Sequence, residues 1–404
     1  MSADNKVPEI RFEGFSGQWE ERAICDLFTV TRGNVLSATK TSPIPTPDKP
    51  YPVYSSQTKN NGLMGFYDKY LFENAITWTT DGANAGTVNF RADKFYSTNV
   101  NGVLLSDEGY ANKAIAEILN KEAWRHVSHV GNPKLMNNVM SAIKITIPNS
   151  VEEQTTIGNY LQKLDTQINQ HQQKHDKLNN IKKAMLEKMF PKKGETVPEI
   201  RFKGFSEEWD EISLLDSIER IIDFRGRTPK KLGLDWSPSG YRALSALNVK
   251  QGYIDFSIDP HFGDQELYDK WMNGSELHQG QVLFTTEAPM GNVAQVPNTD
   301  KYILSQRTIA FVVKSEIIAE DFLAVLLRSS KVFRELSALS SGGTAKGVSQ
   351  KVLVNLNVSI PTDLVEQTAI GNYFHKLDAL INQHQQQITK LNNIKQACLN
   401  KMFV

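Results

Sequence analysis

Four short stretches gather lysine, arginine and side-chain amides among small residues. SSQTKNNG at 55–62 carries Lys59, Asn60 and Asn61, and GNPKLMNN at 131–138 carries Asn132, Lys134, Asn137 and Asn138. DFRGRTPKK at 223–231 carries Arg225, Arg227, Lys230 and Lys231, and GGTAKGVSQ at 342–350 carries Lys346, Ser349 and Gln350. This is the chemistry of reading a polymer rather than of breaking a bond. Lys and Arg meet phosphates, while Asn and Gln can bond an adenine edge at two points. These residues are therefore the candidate DNA contacts. The competing reading of each stretch is a solvated turn or a charged surface loop.

No stretch has the spacing that catalysis requires. GGTAKGVS comes nearest to a phosphate-binding loop through Gly342 and Gly347, but Val348 stands where the lysine must be. No glycine-rich GxGxxG loop follows a strand. DPHF at 259–262 has His where an amine methyltransferase motif has its second proline, and no cofactor loop precedes it. HQQKH, with His171 and His175, lacks the glutamate of a zinc helix, and the second copy has Ile388 in place of His175. It reads instead as a polar break that sets register in a helix seam. The sequence thus names no catalytic and no metal-binding residue. Two alternatives stand beside a DNA reader: a scaffold whose duplicated domains bind proteins, and a stand-alone enzyme.

Composition sets the outer bounds. The 404 residues are 40% hydrophobic and 22% charged, a globular balance with room for two to four domains. Lys plus Arg equals Asp plus Glu at 45 each, so the net charge is zero. Binding by bulk charge alone is disfavoured, since non-specific affinity scales with the phosphates neutralised; clustered basic groups, or a basic partner, are required. Two cysteines, Cys25 and Cys398, form neither a disulfide framework nor a metal pattern and fit a reducing compartment. No apolar run suggests a leader or a membrane span, so the expected location is cytoplasmic.

The elements that position these stretches follow from an internal duplication. VPEIRFEGFSGQWEE at 7–21 returns as VPEIRFKGFSEEWDE at 197–211, and the helical block at 153–190 returns at 366–403. The stretches between, about 22–150 and 212–363, barely resemble each other, and the second is longer. Both nevertheless show strand-like runs in one order, ending in AIKITIP and LNVSIP, with helical segments near 111–127 and 319–336. AITWTTDGANAGTVNF at 75–90 and VLFTTEAPMGNVAQV at 282–296 read as one strand–loop–strand element. In the repeated blocks Ile157, Leu161, Leu164 and Ile168 step by four and three, then His171, His175 and Leu178. The copy reads Ile370, Phe374, Leu377, Ile381, His384, Ile388 and Leu391. A 3.5-residue period is the coiled-coil signature. Roughly 30 helical residues give a rod of about 45 Å. Such a helix needs a partner for its stripe, and the simplest is its own copy, antiparallel about a pseudo-two-fold axis.

On these residues the chain resembles the specificity subunits of type I restriction–modification systems. The resemblance rests on RF.GF...WE (Arg11–Glu20 and Arg201–Asp210), IP....EQ..I...L..LD..I (Ile147–Ile168 and Ile360–Ile381) and the strand–loop element Gly280–Val296. The first domain matches that last element loosely. The resemblance implies a mixed α/β fold with two target-recognition domains separated by two long antiparallel helices. The segments are then 1–21 (conserved), 22–150 (recognition domain 1), 151–190 (long helix), 191–211 (linker and repeated segment), 212–363 (recognition domain 2) and 364–404 (long helix). It further implies that each domain reads half of a bipartite site in double-stranded DNA and that the helices set the spacer. Two modification (methyltransferase) subunits and restriction (motor-nuclease) subunits would be partners. S-adenosylmethionine, ATP and Mg would belong to those partners, with no cofactor and no catalysis in this chain.

Overall fold

The structure is a computed structural model that describes residues 6–56, 59–340 and 347–404. Its contacts divide it into two units, 1–172 with 386–404, and 173–385. Among the described residues no helix is long and apolar enough to cross a membrane.

The first unit begins with β1 (Glu20–Ala23), α1 (Ile24–Leu27) and β2 (Thr29–Arg32). β3 (Tyr51–Tyr54), β4 (Leu63–Tyr67), β5 (Phe72–Thr79), β6 (Val88–Ser97) and β7 (Asn101–Leu105) follow, then α2 (Lys113–Ala123), α3 (Asn137–Ala142), β8 (Lys144–Ile147) and α4 (Val151–Lys188). The main sheet runs β2-β7-β5-β6-β3-β4, and β1 pairs with β8. Period-two alternation sorts the β5–β6 hairpin into two faces. Ile76, Trp78, Val88 and Phe90 face the hydrophobic core, leaving Thr77, Thr79, Asn89 and Arg91 on the other side.

The second unit repeats the plan with additions. Its strands are β9 (Asp210–Ser213), β10 (Ile218–Asp223), β11 (Tyr241–Leu244), β12 (Phe262–Gly263), β13 (Val282–Thr285), β14 (Val293–Gln295), β15 (Tyr302–Leu304), β16 (Thr308–Val313) and β17 (Asn357–Ile360). Its helices are α5 (Gln265–Met272), α6 (Glu320–Leu326), α7 (Ser330–Leu339), α8 (Gln350–Val354) and α9 (Leu364–Lys401). The order β10-β16-β13-β14 reproduces β2-β7-β5-β6, and β17–β9 reproduces β8–β1. Extra strands form a separate sheet, β12-β11-β15. The single helix expected near 319–336 is two helices, because the Ser329 hydroxyl accepts the amide of Val332 and starts a new one.

The repeated motif residues hold these units together. The Arg11 guanidinium donates twice to Glu153, at 2.7 Å each, and Arg201 does the same to Glu366. Gln154 and Gln367 are fully buried. Their amides donate to the carbonyls of Pro148 and Pro361, and their carbonyl oxygens accept from Asn112 and from the Ala319 amide. Gly158 and Gly371 let another helix start approach closely. A Cβ on Gly158 would lie 3.2 Å from the Ala114 nitrogen, and one on Gly371 2.6 Å from Asp321 Cβ.

The long-helix stripe is shared between helix and domain. Ile157, Leu161 and Leu164 are buried in the first unit's core beside Trp19, Trp78, Ile115 and Leu119. Leu391, Ile394, Met402 and Phe403 from the end of α9 join the same core. There the helices run antiparallel, with Tyr160 meeting Cys398 and Asp165 paired to Lys395 at 2.6 Å. In the second unit Ile370, Phe374 and Leu377 are buried beside Trp209 and Phe322, with Leu178 packed against them and Lys182 paired to Asp378. Ile168 and Ile381 are half-buried. Half of each stripe is thus absorbed by its own domain, which is why the seam reads narrower than the surface it covers.

Candidate nucleic-acid interface

Each variable domain brings three loops together at the end of one hairpin. In the first unit the β5–β6 connection is closed by the Thr79 amide on Thr87 O (3.0 Å) and the Gly86 amide on Thr79 O (2.9 Å). Gly86 has φ +86°, and a Cβ there would meet Val127 Cγ2 at 2.9 Å. The loop is tied to the 128–135 loop by the Gly82 amide on Pro133 O (2.9 Å) and the Leu135 amide on Thr80 O (2.8 Å). The buried Trp78 indole donates to Leu135 O at 3.0 Å. Thr80 reaches the third loop, its amide and hydroxyl both donating to Val100 O.

The second unit repeats these bonds apart from those of Gly82 and the Trp78 indole. The Thr285 amide donates to Asn292 O and the Gly291 amide to Thr285 O, both at 2.9 Å. The Val348 amide donates to Thr286 O (2.8 Å), and the Thr286 amide and hydroxyl donate to Arg307 O. Thr80 and Thr286 are therefore the two anchors of one loop cluster.

The predicted residues fall in and around these clusters. Lys134 and Asn132 are exposed on the 128–135 loop, and Lys134 lies 3.9 Å from Asp81 of the hairpin loop. Lys134 is exposed and Asp81 half-buried, so that pair contributes little and a phosphate can compete for the ammonium. Asn137 opens α3, with its side-chain oxygen buried and unpartnered among the described residues. Asn60 and Asn61 are exposed in consecutive left-handed conformations, φ 51° and 53°. Only the backbone of Lys59 is described.

In the second unit the structure brings two predicted stretches together. The Gln350 amide donates to Asp223 (3.1 Å), which also pairs with Arg225 (2.6 Å). Ser349 is the residue before α8. Lys230 is exposed, with no ion pair among the described residues, and Lys231 donates to Gly226 O. Arg227 is turned inward, its guanidinium donating to Trp271 O and lying over the Phe224 ring at 4.4 Å. Lys346 lies outside the described residues.

Sequence reasoning missed Arg91. It is 7% exposed, donates to Thr77 Oγ1 (3.1 Å) and Asn61 O (2.6 Å), and lies 3.8 Å from the Tyr54 ring centroid. Burial lowers its pKa to about 10. It borders a cavity of about 80 Å³ lined by hydroxyls and amides, including Thr79, Thr87 and Asn101 at the base of the loop cluster. An arginine in the strand VNFRAD reads as solvent-facing, but Tyr54 and the Asn61 carbonyl cover it. Among the described residues no group of His, Cys, Asp and Glu could hold a metal.

Comparison with known proteins agrees with this architecture. The type I restriction modification DNA specificity domain matches twice, over 16–180 and 206–393. The chain is 24% identical over 375 residues to the specificity subunit of the type I restriction enzyme MjaVIII of Methanocaldococcus jannaschii, covering 87% of this chain and 85% of that one. A putative type I specificity subunit, S.MpnORF289P N-terminus, of Mycoplasma pneumoniae is 39% identical over 126 residues, covering 30% of this chain and 65% of that one. In fold the chain is similar to the crystal structure of a type I restriction–modification system S subunit from M. genitalium. The TM-score is 0.66 at 15% identity, covering 98% of this chain and 99% of that one. With two matches that together span most of its length, the chain belongs to the type I restriction modification DNA specificity domain family.

Proposed function

We propose that this chain is the DNA-specificity subunit of a type I restriction–modification complex and has no catalysis of its own. The observation that carries this is the loop cluster: one hydrogen-bonded skeleton, built twice, presents different polar side chains. Two readers of one design with different contacts suit a target of two unlike halves. The exposed Lys134, Asn132 and Asn60 in one domain, and Lys230, Arg225 and Gln350 in the other, would meet phosphates and base edges. The lengths of the two long helices would set the gap between half-sites. Two modification subunits would dock on the repeated scaffold, and restriction subunits would complete the enzyme in the cytoplasm. S-adenosylmethionine, ATP and Mg would be bound by those partners. The zero net charge suits a chain whose partners supply part of the phosphate contact.

The test is co-expression with a cognate modification subunit and genome-wide mapping of methylated adenines. A split motif with a fixed spacer is expected, and its absence refutes the assignment. Exchanging 22–150 for the corresponding domain of another family member should change one half-site only. Residues inserted after Lys188 should change the spacer and neither half-site.

A further inference from the structure

The connection from β10 to β13, residues 224–281, is longer than its counterpart from β2 to β5, residues 33–71. The longer connection walls a cavity of about 570 Å³ in the second unit. That volume is typical of a site for a small organic molecule. Trp236 and the buried Trp271, with ring centroids 5.7 Å apart and planes tilted by 38°, form an apolar wall that Leu247 extends. A polar edge faces the same space. The Asp259 carboxylate accepts the Ser245 hydroxyl at 2.5 Å and lies 2.7 Å from His261 Nδ1, while Trp236 packs on the imidazole at 5.4 Å. Lys230 and Arg307 also line the cavity. Arg307 is paired with Glu287 at 3.1 Å, but Arg307 is exposed and Glu287 only half-buried, so an anion can compete for it.

The backbone points to the same place. Asp259, Ala288 and Arg307 all have left-handed φ, at 49°, 48° and 62°, and all three line this cavity. Alanine and arginine adopt that conformation only where the surroundings impose it, and such residues cluster at ligand sites. Ala288 and Arg307 also belong to the two loops joined at Thr286.

An aromatic face on Trp236, a hydrogen-bonding edge and nearby cations together match a heteroaromatic ring carrying a phosphate. We propose that this cavity is a nucleotide subsite. A nucleobase stacks on Trp236, the Asp259–His261 edge bonds its polar groups, and Lys230 and Arg307 meet the attached phosphate. Stacking on an aromatic side chain tolerates any base, so selectivity falls to that edge. In naming DNA as the source of the nucleotide, a base turned out of the duplex, the proposal rests on the DNA-reading assignment above; a free nucleotide would satisfy the same chemistry.

The test uses the full-length chain and two variants. Trp236→Leu removes the stacking face. Leu247→Trp fills the cavity from a residue that is 50% exposed, so the core is left intact. Each protein is titrated calorimetrically with dAMP, dGMP, dCMP and TMP, and each is co-expressed with modification subunits for methylation mapping. Saturable one-to-one binding of at least one monophosphate is expected, weakened roughly tenfold or more in both variants. If the variants also lose methylation or relax one half-site, the nucleotide comes from DNA. If methylation is unchanged, the subsite takes a free nucleotide. Failure of all four monophosphates to bind overturns the proposal, whatever the variants do to methylation. If the wild-type complex yields no split motif, the DNA-reading assignment falls and the titration alone decides the subsite.

Discussion

Replacing Arg201 with Met removes the sole ion-pair partner of Glu366 among the described residues. The glutamate is 1% exposed and receives two guanidinium hydrogen bonds at 2.7 Å. Once the arginine is gone, the carboxylate keeps only its place in the first turn of α9, where the helix dipole is worth about 0.3–1 kcal/mol. Breaking a buried pair by removing one partner costs about 3–5 kcal/mol. The expected net loss is about 3–4 kcal/mol. For a folding unit of this size, 1 kcal/mol moves the melting temperature by about 2–4 °C, so a drop of about 10 °C is expected. Arg11→Met should do at least as much in the other unit, since Arg11 also donates to the carbonyls of Gly17 and Ser16. Calorimetric melting of the full chain at pH 7 measures both. The double variant Arg201→Met, Glu366→Gln no longer strands a charge and should recover part of the loss. A shift below about 2 °C for the single variant, or a double variant no better than the single, would refute the buried-pair argument.

Other consequences are equally open to measurement. Asp165 sits between Lys113 and Lys395; burial would raise its pKa, but the two ammonium groups outweigh burial and hold it below the usual carboxylate value. A depressed carboxylate stabilises above its unfolded pKa of 3.8 and loses that stabilisation as the pH falls through the lower folded value. Asp165→Asn should therefore cost about 2 kcal/mol at pH 7 and progressively less below pH ~4, and equal penalties at both would contradict it. Phe403 packs on Trp19 in the first unit as Phe190 packs on Trp209 in the second, so Phe403→Ala and Phe190→Ala should each cost about 3–5 kcal/mol in urea melts; a negligible loss for Phe403→Ala would mean the chain end is not part of the core. Lys230→Ala in the assembled complex should weaken DNA binding evenly across sequences and lower the salt slope by about one; an unchanged slope would return Lys230 to a plain surface role.

Much of the scaffold was legible because its signals are local or repeated. The heptad stripes, the runs AITWTT and VLFTT, and the duplicated blocks are readable at short range. What the repeats do to each other was not, since contacts such as Arg201–Glu366 join distant residues. The chain ends show this best. Ile10 donates to Lys401 O and Glu9 pairs with Lys401, just as Ile200 donates to Lys188 O and Glu199 pairs with Lys188. In the second unit those partners are near neighbours in sequence, whereas in the first they lie at opposite ends of the chain. The short strands β3, β4, β11 and β12 carry too few alternating residues to announce themselves. At the candidate site, amide and lysine content marks the loops but not how each side chain is placed. Lys134 stays at the surface and Arg227 folds inward, although both read as charged turn residues. The difference lies in Phe224 and the Trp271 carbonyl, which sequence spacing does not bring near Arg227.

The loop clusters explain how the two domains can diverge without losing their fold. Their shared bonds, Leu135 to Thr80 and Val348 to Thr286, use backbone amides and carbonyls. Such bonds are blind to the side chains that the loops carry. The side-chain requirements that remain are few: a threonine at the anchor, whose hydroxyl donates to Val100 O or Arg307 O, and a glycine at 86 or 291 with positive φ. Exposed polar side chains such as Lys134 and Gln350 take no part in this skeleton. Charge pairs show this directly. An acidic residue follows each anchor, but Asp81 meets Lys134 from one neighbouring loop, while Glu287 meets Arg307 from another. A domain built this way can exchange its polar contacts at little cost in stability, which is the property a reader of changing DNA targets requires.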